Sequence, residues 1–169
     1  MERVILVDEN DTPLGTMEKM EAHEKGVLHR AFSVFIFNSN GDMLLQQRAL
    51  SKYHSGGLWT NTCCSHPREN ETTVDAAHRR LQEEMGFDCE INKEFDFIYK
   101  KQLDKGLTEH ELDHVFIGKY EGEVKFNPEE VNAYSYKPVQ EVLSEVLRFP
   151  KKYTEWFKIC LNEVVKRAL

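Results

Sequence analysis

Short runs of apolar, aromatic and β-branched residues, separated by polar turn-forming segments, dominate the first two thirds of the chain. Such runs are typical of β-strands. The run at 31–37 is the strongest, and the sequence Asn-Ser-Asn-Gly-Asp that follows it at 38–42 predicts a hairpin with the next run. The predicted strands are 3–7, 31–37, 43–48, 58–64, 95–100 and 114–120.

Helix signals occur in three segments. The first is 72–85, where Thr72 or Thr73 is suited to cap the start and Gly86 lies where a helix stops. A second is predicted at 139–147, between two prolines, and a third at 153–168, where apolar residues recur at a spacing of about 3.6. Strands, one helix, more strands and two helices predict a mixed sheet with helices on its faces, an α/β or α+β fold.

Length and composition limit the classes of protein that need to be considered. The 169 residues contain no repeat or linker, so 1–169 is predicted to be a single domain. The net charge of −7 argues against nucleic acid as a partner. No run approaches about 18 apolar residues, so no membrane partner is predicted. The first residues do not resemble a signal peptide, and two of the four cysteines are adjacent, which together predict free thiols in a reducing cytoplasm.

The segment 59–67 carries a thiol beside an imidazole. On a strand, Cys64 and His66 share one face and Cys63 points the other way. The two side chains can therefore enter one cleft. A small core cysteine beside a loop histidine is an equally good interpretation of this segment alone.

Two further segments offer possible metal ligands. In extended form, Glu109 and Glu111 lie on one face and could hold one cation, although a solvated charged edge strand has the same pattern. His23 and His29 lie six residues apart across Gly26 and could meet at a metal if the loop folds back, or they could form a surface pair.

The predicted helix at 72–85 is dense in charge. Arg80, Glu83 and Glu84 lie at i, i+3 and i+4 and form one patch. The plain alternative is a pair of helix salt bridges, Asp75 with Arg79 and Arg80 with Glu84, worth about 0.2–0.5 kcal/mol each.

This helix and its approach resemble the Nudix box, whose pattern is Gly, five residues, Glu, seven residues and then Arg-Glu-apolar-x-Glu-Glu-x-Gly-apolar. Two positions depart from that pattern: Ser65 replaces the first Gly, and Arg80 replaces the first Glu of the helix. The second change puts a cation where Nudix hydrolases hold magnesium. The positions that fall in register with the pattern are Ser65, Glu71, Arg79, Leu81, Glu83, Glu84, Gly86 and Phe87.

The departures match one branch of that superfamily, the type I isopentenyl-diphosphate Δ-isomerases. The resemblance extends from about residue 3 to residue 160 and implies a Nudix-type α/β/α sandwich with a mixed sheet. It implies that isopentenyl diphosphate and dimethylallyl diphosphate are interconverted through a tertiary carbocation in isoprenoid biosynthesis. The tracts that carry it are 18–23, His29, 48–52, 59–67, 79–86, Tyr99 and 109–111.

The same resemblance implies the ligands and catalytic groups. Five side chains would hold Mn²⁺ or Mg²⁺, with Zn²⁺ as a further candidate for a mixed nitrogen and oxygen site. Glu84 would hold a second Mg²⁺ that bridges the diphosphate. Glu111 is predicted to donate a proton with help from Tyr99, and Cys64 to act as the base, in an order that stays open because the reaction is reversible. The implied metal ligands are His23, His29, His66, Glu109 and Glu111.

The remaining predictions concern the substrate and the alternatives. Four cations are implied to contact the diphosphate, and Trp156 to face the carbocation, while Trp59 is predicted to be structural. His54, His78, His110 and His114 are expected to be structural or on the surface. A Nudix hydrolase of a nucleoside diphosphate compound and a non-catalytic metal or diphosphate-binding module are the alternatives, and a monomer or weak homo-oligomer is expected. The predicted diphosphate cations are Lys19, Arg48, Lys52 and Arg80.

Overall fold

The computed structural model describes residues 2–168. Its strands and helices follow one another in an order close to the expected one, with two short 3₁₀ turns at Asp104–Gly106 and Pro150–Lys152. The strands are β1 (Arg3–Val7), β2 (Pro13–Glu18), β3 (His29–Phe37), β4 (Met43–Arg48), β5 (Trp59–Thr60), β6 (Cys63–Ser65), β7 (Ile91–Gln102), β8 (Thr108–Lys119) and β9 (Val131–Lys137). The helices are α1 (Lys19–Lys25), α2 (Thr73–Met85), α3 (Val139–Arg148) and α4 (Glu155–Ala168).

The strand β3 organises a mixed sheet that includes all nine strands. It runs parallel to β8 and antiparallel to β1, β4 and β6. The parallel register places His29 opposite Glu111, and the antiparallel register with β6 places Ser33 opposite Cys64. Backbone pairing alone therefore brings three of the residues predicted to carry chemistry to the stretch of β3 between its first and its middle residue.

Helices cover both faces of this sheet. Because side chains alternate along a strand, Phe32, Val34 and Ile36 face one side of β3, where they pack with Leu81 and other residues of α2. Phe35 and its neighbours face the opposite side, where they pack against residues of α3 and α4. The expected α/β/α layers and mixed sheet are confirmed. None of the helices within residues 2–168 is long and apolar enough to cross a bilayer.

The capping signals of α2 give its boundaries correctly. The Thr72 hydroxyl accepts a hydrogen bond of 3.2 Å from the backbone N–H of Asp75. Gly86 ends the helix at φ +74°, and a Cβ there would lie 2.1 Å from the carbonyl oxygen of Lys125. Only glycine fits that position, because the backbone is left-handed and the neighbouring chain is too close for a side chain.

The prediction of one strand over 58–64 is wrong. The segment divides into β5, which pairs with β4, and β6, which pairs with β3. Between them, the buried side chain of Thr62 donates to the carbonyl of Leu44 at 2.7 Å and accepts from the N–H of Ile36 at 3.0 Å. These side-chain bonds take the place of ladder bonds, so the strand is interrupted.

Three elements were not predicted from the sequence. The strand β2 has no buried residue, and the helix α1 is only seven residues long with two buried side chains. The third, β9, pairs with β4 along most of its length. The strands β7 and β8 are each twelve residues long, which exceeds their predicted lengths, because their pairing continues through the polar segment to Thr108.

Candidate active site

Five buried histidine and glutamate side chains from four parts of the fold converge at the end of β3. One possible ligand atom from each lies within 4.8 Å of every other. The chain reverses between α1 and β3 at Gly26, whose φ of +65° is left-handed, and this reversal brings the two histidines of that segment together. Sequence analysis predicted the same five residues as a metal shell. The cluster consists of His23, His29, His66, Glu109 and Glu111.

The carboxylate of Glu111 is the most heavily contacted group of this metal cluster. Its Oε2 lies 3.1 Å from Nε2 of His29 and 2.8 Å from Nε2 of His66. Its Oε1 accepts a hydrogen bond of 2.6 Å from the hydroxyl of Tyr99. Burial acts to raise the pKa of Glu111, but its contacts with the Glu109 carboxyl and with the two imidazoles hold that pKa well below its ordinary value.

The carboxylate of Glu109 is only partly satisfied. Its Oε1 lies 3.4 Å from Nε2 of His23 and 2.7 Å from Nε2 of His54. Neither imidazole nitrogen makes a hydrogen bond of acceptable geometry, and Oε2 of Glu109 has no hydrogen-bond partner among the described residues. Buried polar atoms without partners are costly. A cation held between these groups would satisfy them, so the residues fit a divalent metal.

Buried like charges support the same interpretation. Burial, and then the charge of Glu111, raise the pKa of Asp113 well above its ordinary range. Burial acts to lower the pKa of His23, but the neighbouring Glu109 outweighs it and raises that pKa. Burial lowers the pKa of His66 below its ordinary value. Several carboxyl groups share this dry site, and they would repel one another without a compensating cation.

His54 was expected to be structural or on the surface, yet it lies against the metal cluster. Its side chain is only 1% exposed. Burial, followed by the charges of Arg48 and His23, lowers the pKa of this histidine, although Glu109 acts to raise it. No spacing in the sequence relates position 54 to Glu109, because an irregular segment between β4 and β5 brings it there. The other three histidines set aside from the sequence contact Asp88, Gly26 and Asp11.

The cysteine pair faces two ways, as the strand pattern predicts. Cys64 lines the cavity next to the metal cluster, whereas Cys63 is fully buried, with its Sγ 3.5 Å from Oε2 of Glu84. Burial is the main cause that raises the pKa of the Cys64 thiol, so the thiol carries its proton at neutral pH. A protonated thiol beside a carboxylate gives the cavity two groups that can hold or release a proton.

One cavity with about 530 Å³ of empty space, partly open to solvent, contains most of the predicted site. Cys64 and Glu111 both line it, and so do Ser33 and Asp113. The structure also brings all four predicted diphosphate cations and the predicted aromatic residue to its wall. These are Lys19, Arg48, Lys52, Arg80 and Trp156.

Acidic neighbours neutralise three of these four cations. Lys19 lies 2.7 Å from Glu2, and Lys52 lies 2.6 Å from Glu130. Arg80 forms ion pairs with three carboxylates, at 3.0 Å from Glu83, 3.0 Å from Glu84 and 3.2 Å from Glu130.

Arg48 has a different environment. It donates to the backbone carbonyl of His54 at 3.1 Å, and its Nε has no hydrogen-bond partner among the described residues. Its guanidinium lies 5.3 Å from the centre of the Trp156 ring, and the indole N–H of that tryptophan donates to Asn61 at 3.2 Å. This wall of the cavity therefore combines an unsatisfied cation with an aromatic face.

Glu84, predicted to hold a second Mg²⁺, lies outside the lining of the cavity. Its Oε1 accepts from Gln46 at 2.9 Å, and its Oε2 accepts from Arg80 at 3.1 Å. Binding of a metal at this carboxylate would have to replace these bonds.

Of the two helix salt bridges that the sequence offered as an alternative interpretation, one is present. The pair Arg80–Glu84 is present, but Asp75 and Arg79 form no ion pair among residues 2–168. Arg79 instead donates two hydrogen bonds to Glu71, at 2.8 and 2.9 Å. This two-point contact ties the helix to the segment that precedes it.

Comparisons with known proteins agree with the fold and with the sequence motifs. A family model for the NUDIX domain matches residues 27–157. The chain is 54% identical over 161 residues to "Isopentenyl-diphosphate Delta-isomerase" of Pectobacterium atrosepticum, covering 95% of this chain and 90% of that protein. It is 50% identical over 164 residues to "Isopentenyl-diphosphate Delta-isomerase 2" of Aromatoleum aromaticum, covering 97% and 87%.

Solved structures show the same fold at lower sequence similarity. The DR0079 protein from Deinococcus radiodurans matches with a TM-score of 0.78 at 18% identity, over 99% of each chain. The MutT protein from Methanosarcina mazei matches with a TM-score of 0.68 at 17% identity, over 83% of this chain and 94% of that one. At such identities the likeness concerns the fold alone.

Proposed function

The chain belongs to the NUDIX domain family and, within it, to the isopentenyl-diphosphate Delta-isomerases, and we propose that it interconverts isopentenyl diphosphate and dimethylallyl diphosphate in isoprenoid biosynthesis. The structural observation that carries this proposal is the meeting of Cys64 and Glu111 in one cavity next to a metal cluster. Hydrolysis of a diphosphate has no need of a thiol at that place. Arg80 also replaces a carboxylate that Nudix hydrolases use for magnesium.

The reaction moves one proton on and another off the carbon chain. A proton adds to the terminal CH₂ of isopentenyl diphosphate, and the double-bond electrons form the new C–H bond and leave a tertiary carbocation. Loss of a proton from the carbon next to the CH₂O group then gives the double bond of dimethylallyl diphosphate. An unactivated alkene is a weak base, so a well-placed acid and a matching base are both required.

We assign these proton transfers to Glu111 and Cys64. In the forward direction Glu111 donates the proton, with Tyr99 bonded to its Oε1, and Cys64 accepts the proton that leaves. The roles exchange in the reverse direction. With Cys64 protonated and Glu111 ionised at rest, the site is in the starting state of the reverse direction, so a forward turnover requires that Glu111 first take up a proton. The placement of both side chains on the wall of one cavity supports this assignment.

A divalent cation is assigned to the metal cluster. Magnesium or manganese suits the mixed nitrogen and oxygen donors, with zinc as a competing occupant, and His23, His29, His66, Glu109 and Glu111 would hold it. When bound, the cation supplies positive charge that neutralises the two glutamates. Glu84 would hold a second magnesium, whose positive charge would offset the negative charge of the diphosphate.

The diphosphate is assigned to the cationic side of the cavity. Lys19, Lys52 and Arg80 are each paired with an acidic side chain, and phosphate oxygens would compete with those carboxylates. Arg48 already has a free donor. The aromatic face of Trp156 would stabilise the carbocation and exclude water, because a cation over an aromatic ring gains about 0.5–2 kcal/mol.

The wider setting is proposed on the same basis. A reducing cytoplasm suits a protein whose thiol at Cys64 must stay unoxidised. Because β1 to β9 join one sheet, we propose that 1–169 is a single domain. A monomer or weak homo-oligomer remains our expectation for its assembly.

A product assay separates this function from its alternatives. The protein is incubated with isopentenyl diphosphate and Mg²⁺, and both dimethylallyl diphosphate and inorganic phosphate are measured. Conversion of the carbon chain without phosphate release supports the isomerase. Release of phosphate would indicate a hydrolase, and tight binding without any product would indicate a binding module; either result contradicts the proposal.

A further inference from the structure

His54 connects three parts of the cavity wall. Its Nε2 lies 2.7 Å from Oε1 of Glu109, and its ring meets the ring of Trp156 edge-on at 5.8 Å between centroids. Its backbone carbonyl accepts the hydrogen bond from Arg48 at 3.1 Å. One buried residue therefore contacts a proposed metal ligand, the proposed cation-stabilising ring and a proposed diphosphate cation.

The surroundings of this imidazole fix where its proton lies. Two lone pairs would repel each other at 2.7 Å, and Glu109 as a metal ligand is a carboxylate, so Nε2 of His54 must carry the proton, although the contact lies outside hydrogen-bond geometry in this arrangement. In a neutral ring, Nδ1 is then the acceptor, and Oγ of Ser55 lies 3.0 Å from it with a hydroxyl proton to donate. A hydroxyl can donate or accept, so the contact with Ser55 is compatible with the form of the ring in which Nε2 is the donor, and it holds the ring at Nδ1.

The backbone at Ser55, whose hydroxyl contacts Nδ1 of His54, has a rare conformation. Ser55 has φ +54°, in the left-handed region that non-glycine residues rarely adopt. Its N–H donates to Oδ1 of Asp104 at 3.0 Å, so the segment that carries His54 is tied to the loop between β7 and β8. Strained backbone persists only where its surroundings hold it, and it is concentrated at functional sites.

The two oxygens of the Glu109 carboxylate therefore have different neighbours. Oε1 lies 2.7 Å from Nε2 of His54 and 3.4 Å from Nε2 of His23, a proposed metal ligand, whereas Oε2 is buried and has no hydrogen-bond partner within residues 2–168. We propose that His54 is a positioning residue, which holds the Glu109 carboxylate in place against the metal cluster so that it is presented to the divalent cation. This proposal rests on the metal cluster of the proposed function. His54 itself is excluded from the five-residue group whose ligand atoms lie within 4.8 Å of one another.

Metal affinity tests the proposal without any need for turnover. Full-length protein is stripped with a chelator, and Mn²⁺ binding is measured by isothermal titration for the wild type, His54→Leu, His54→Gln and the control His78→Leu. His78 lies outside the cavity and pairs with Asp88. Because residues that orient a ligand typically change affinity about 10- to 100-fold, His54→Leu should raise the Kd for Mn²⁺ by that factor. His54→Gln, whose amide can still donate, should recover most of the loss, and His78→Leu should match the wild type.

Two results would overturn the proposal. One is wild-type Mn²⁺ affinity in His54→Leu, and the other is a loss in His54→Gln as large as that in His54→Leu. If His54 had only a structural role, His54→Leu would lower the Tm of the metal-free protein, and His54→Gln would not restore the affinity for Mn²⁺. Should His54→Leu fail to fold, Ser55→Ala replaces it, because loss of the hydroxyl removes the contact that holds the ring at Nδ1. That variant should also raise the Kd, and an unchanged Kd would count against the proposal.

The absorption spectrum of bound Co²⁺ distinguishes positioning from direct ligation. A positioning role predicts that the visible bands of His54→Leu keep the wild-type wavelengths and intensities once the site is saturated. If the Co²⁺ spectrum of His54→Leu instead changes to that of a lower coordination number, His54 is itself a ligand, and the proposal is overturned. The wild type is also assayed for isomerisation. Mn²⁺ binding without isomerisation overturns only the proposed function, whereas isomerisation together with wild-type Mn²⁺ affinity in His54→Leu overturns only this inference.

Discussion

The hydroxyl of Tyr99 donates a 2.6 Å hydrogen bond to Oε1 of Glu111, on the opposite oxygen from the one that faces two histidines. One oxygen of this carboxylate therefore contacts the phenol, and the other contacts histidines of the metal cluster. Tyr99 can reach it because β7 and β8 pair in the register that sets these two residues directly opposite each other. The geometry makes Tyr99 the neighbour best placed to control the proton on Glu111.

Removal of this hydroxyl should slow the chemical step. A hydrogen bond to a charged group is worth about 1.5–3 kcal/mol, so Tyr99→Phe should lower kcat by roughly 10- to 100-fold with little effect on KM. Steady-state kinetics test this against Tyr120→Phe, whose hydroxyl bonds to a backbone carbonyl outside the cavity. Equal kcat values for Tyr99→Phe and the wild type would remove Tyr99 from the mechanism.

Replacement of the cavity thiol should abolish turnover while sparing binding. Cys64→Ser keeps the size of the side chain but substitutes a hydroxyl, which is a far poorer acid and nucleophile than a thiol. We expect kcat to fall by orders of magnitude and the affinity for isopentenyl diphosphate to stay close to wild type. The matched control is Cys89→Ser, at a half-buried thiol that packs against the core and does not line the cavity. A Cys64→Ser protein with full activity would show that the assignment of the base is wrong.

Removal of metal should destabilise the protein. Without a cation, Glu109 and Glu111 remain buried beside each other, and Nε2 of His23, Nε2 of His54 and Oε2 of Glu109 lack hydrogen-bond partners within the described residues. A ligand that binds only the folded state adds about 2.7 kcal/mol at 100 times its Kd, so Mn²⁺ should raise Tm and a chelator should lower it. Thermal unfolding of Glu109→Gln should show a smaller response to Mn²⁺. The same Tm with and without Mn²⁺ in the wild type would argue against the metal site.

The contact between Glu71 and Arg79 should make stability depend on pH in acid. Hydrogen bonds from Arg79 lower the pKa of Glu71 below its ordinary value of 4.5, although burial opposes the shift. A carboxyl whose pKa is lowered by folding adds stability above its unfolded pKa and loses it as pH falls through the folded value. Glu71→Gln should therefore have a lower Tm than the wild type at pH 7.

The difference in Tm between Glu71→Gln and the wild type should shrink as pH falls below 4.5. Thermal scans between about pH 3 and pH 7 measure this window. The exposed residue Glu123 provides the control variant Glu123→Gln, which should follow the wild type throughout. A difference in Tm that is constant with pH would mean that the charge of Glu71 contributes nothing.

The sequence predicts the elements whose boundaries depend on local chemistry. Thr72 and Gly86 delimit α2 because a cap and a left-handed stop are decided within a few residues. The exposed strand β2 and the short helix α1 give no such signal, because pairing with β1 and packing against β8 stabilise them. The interruption at Thr62 depends on hydrogen bonds to β3 and β4, which are distant in sequence.

The same distinction applies to the site. Period-two alternation is sufficient to place Glu109 and Glu111 on one face, and to turn Cys64 away from Cys63. The pairing of β3 with β8 then adds His29, which the sequence relates to the glutamates only through family resemblance. The position of His54 follows from an irregular segment whose path is set by tertiary contacts, so no local pattern reveals it.

Proton exchange with solvent tests the central claim, that two side chains of one cavity add and remove protons on the substrate. Isopentenyl diphosphate is incubated in D₂O with the protein and Mg²⁺ and followed by NMR. We expect dimethylallyl diphosphate with deuterium in the methyl group derived from the terminal CH₂, and loss of that product in Cys64→Ser. Dimethylallyl diphosphate formed at the normal rate but without deuterium would contradict proton transfer through Glu111 and Cys64.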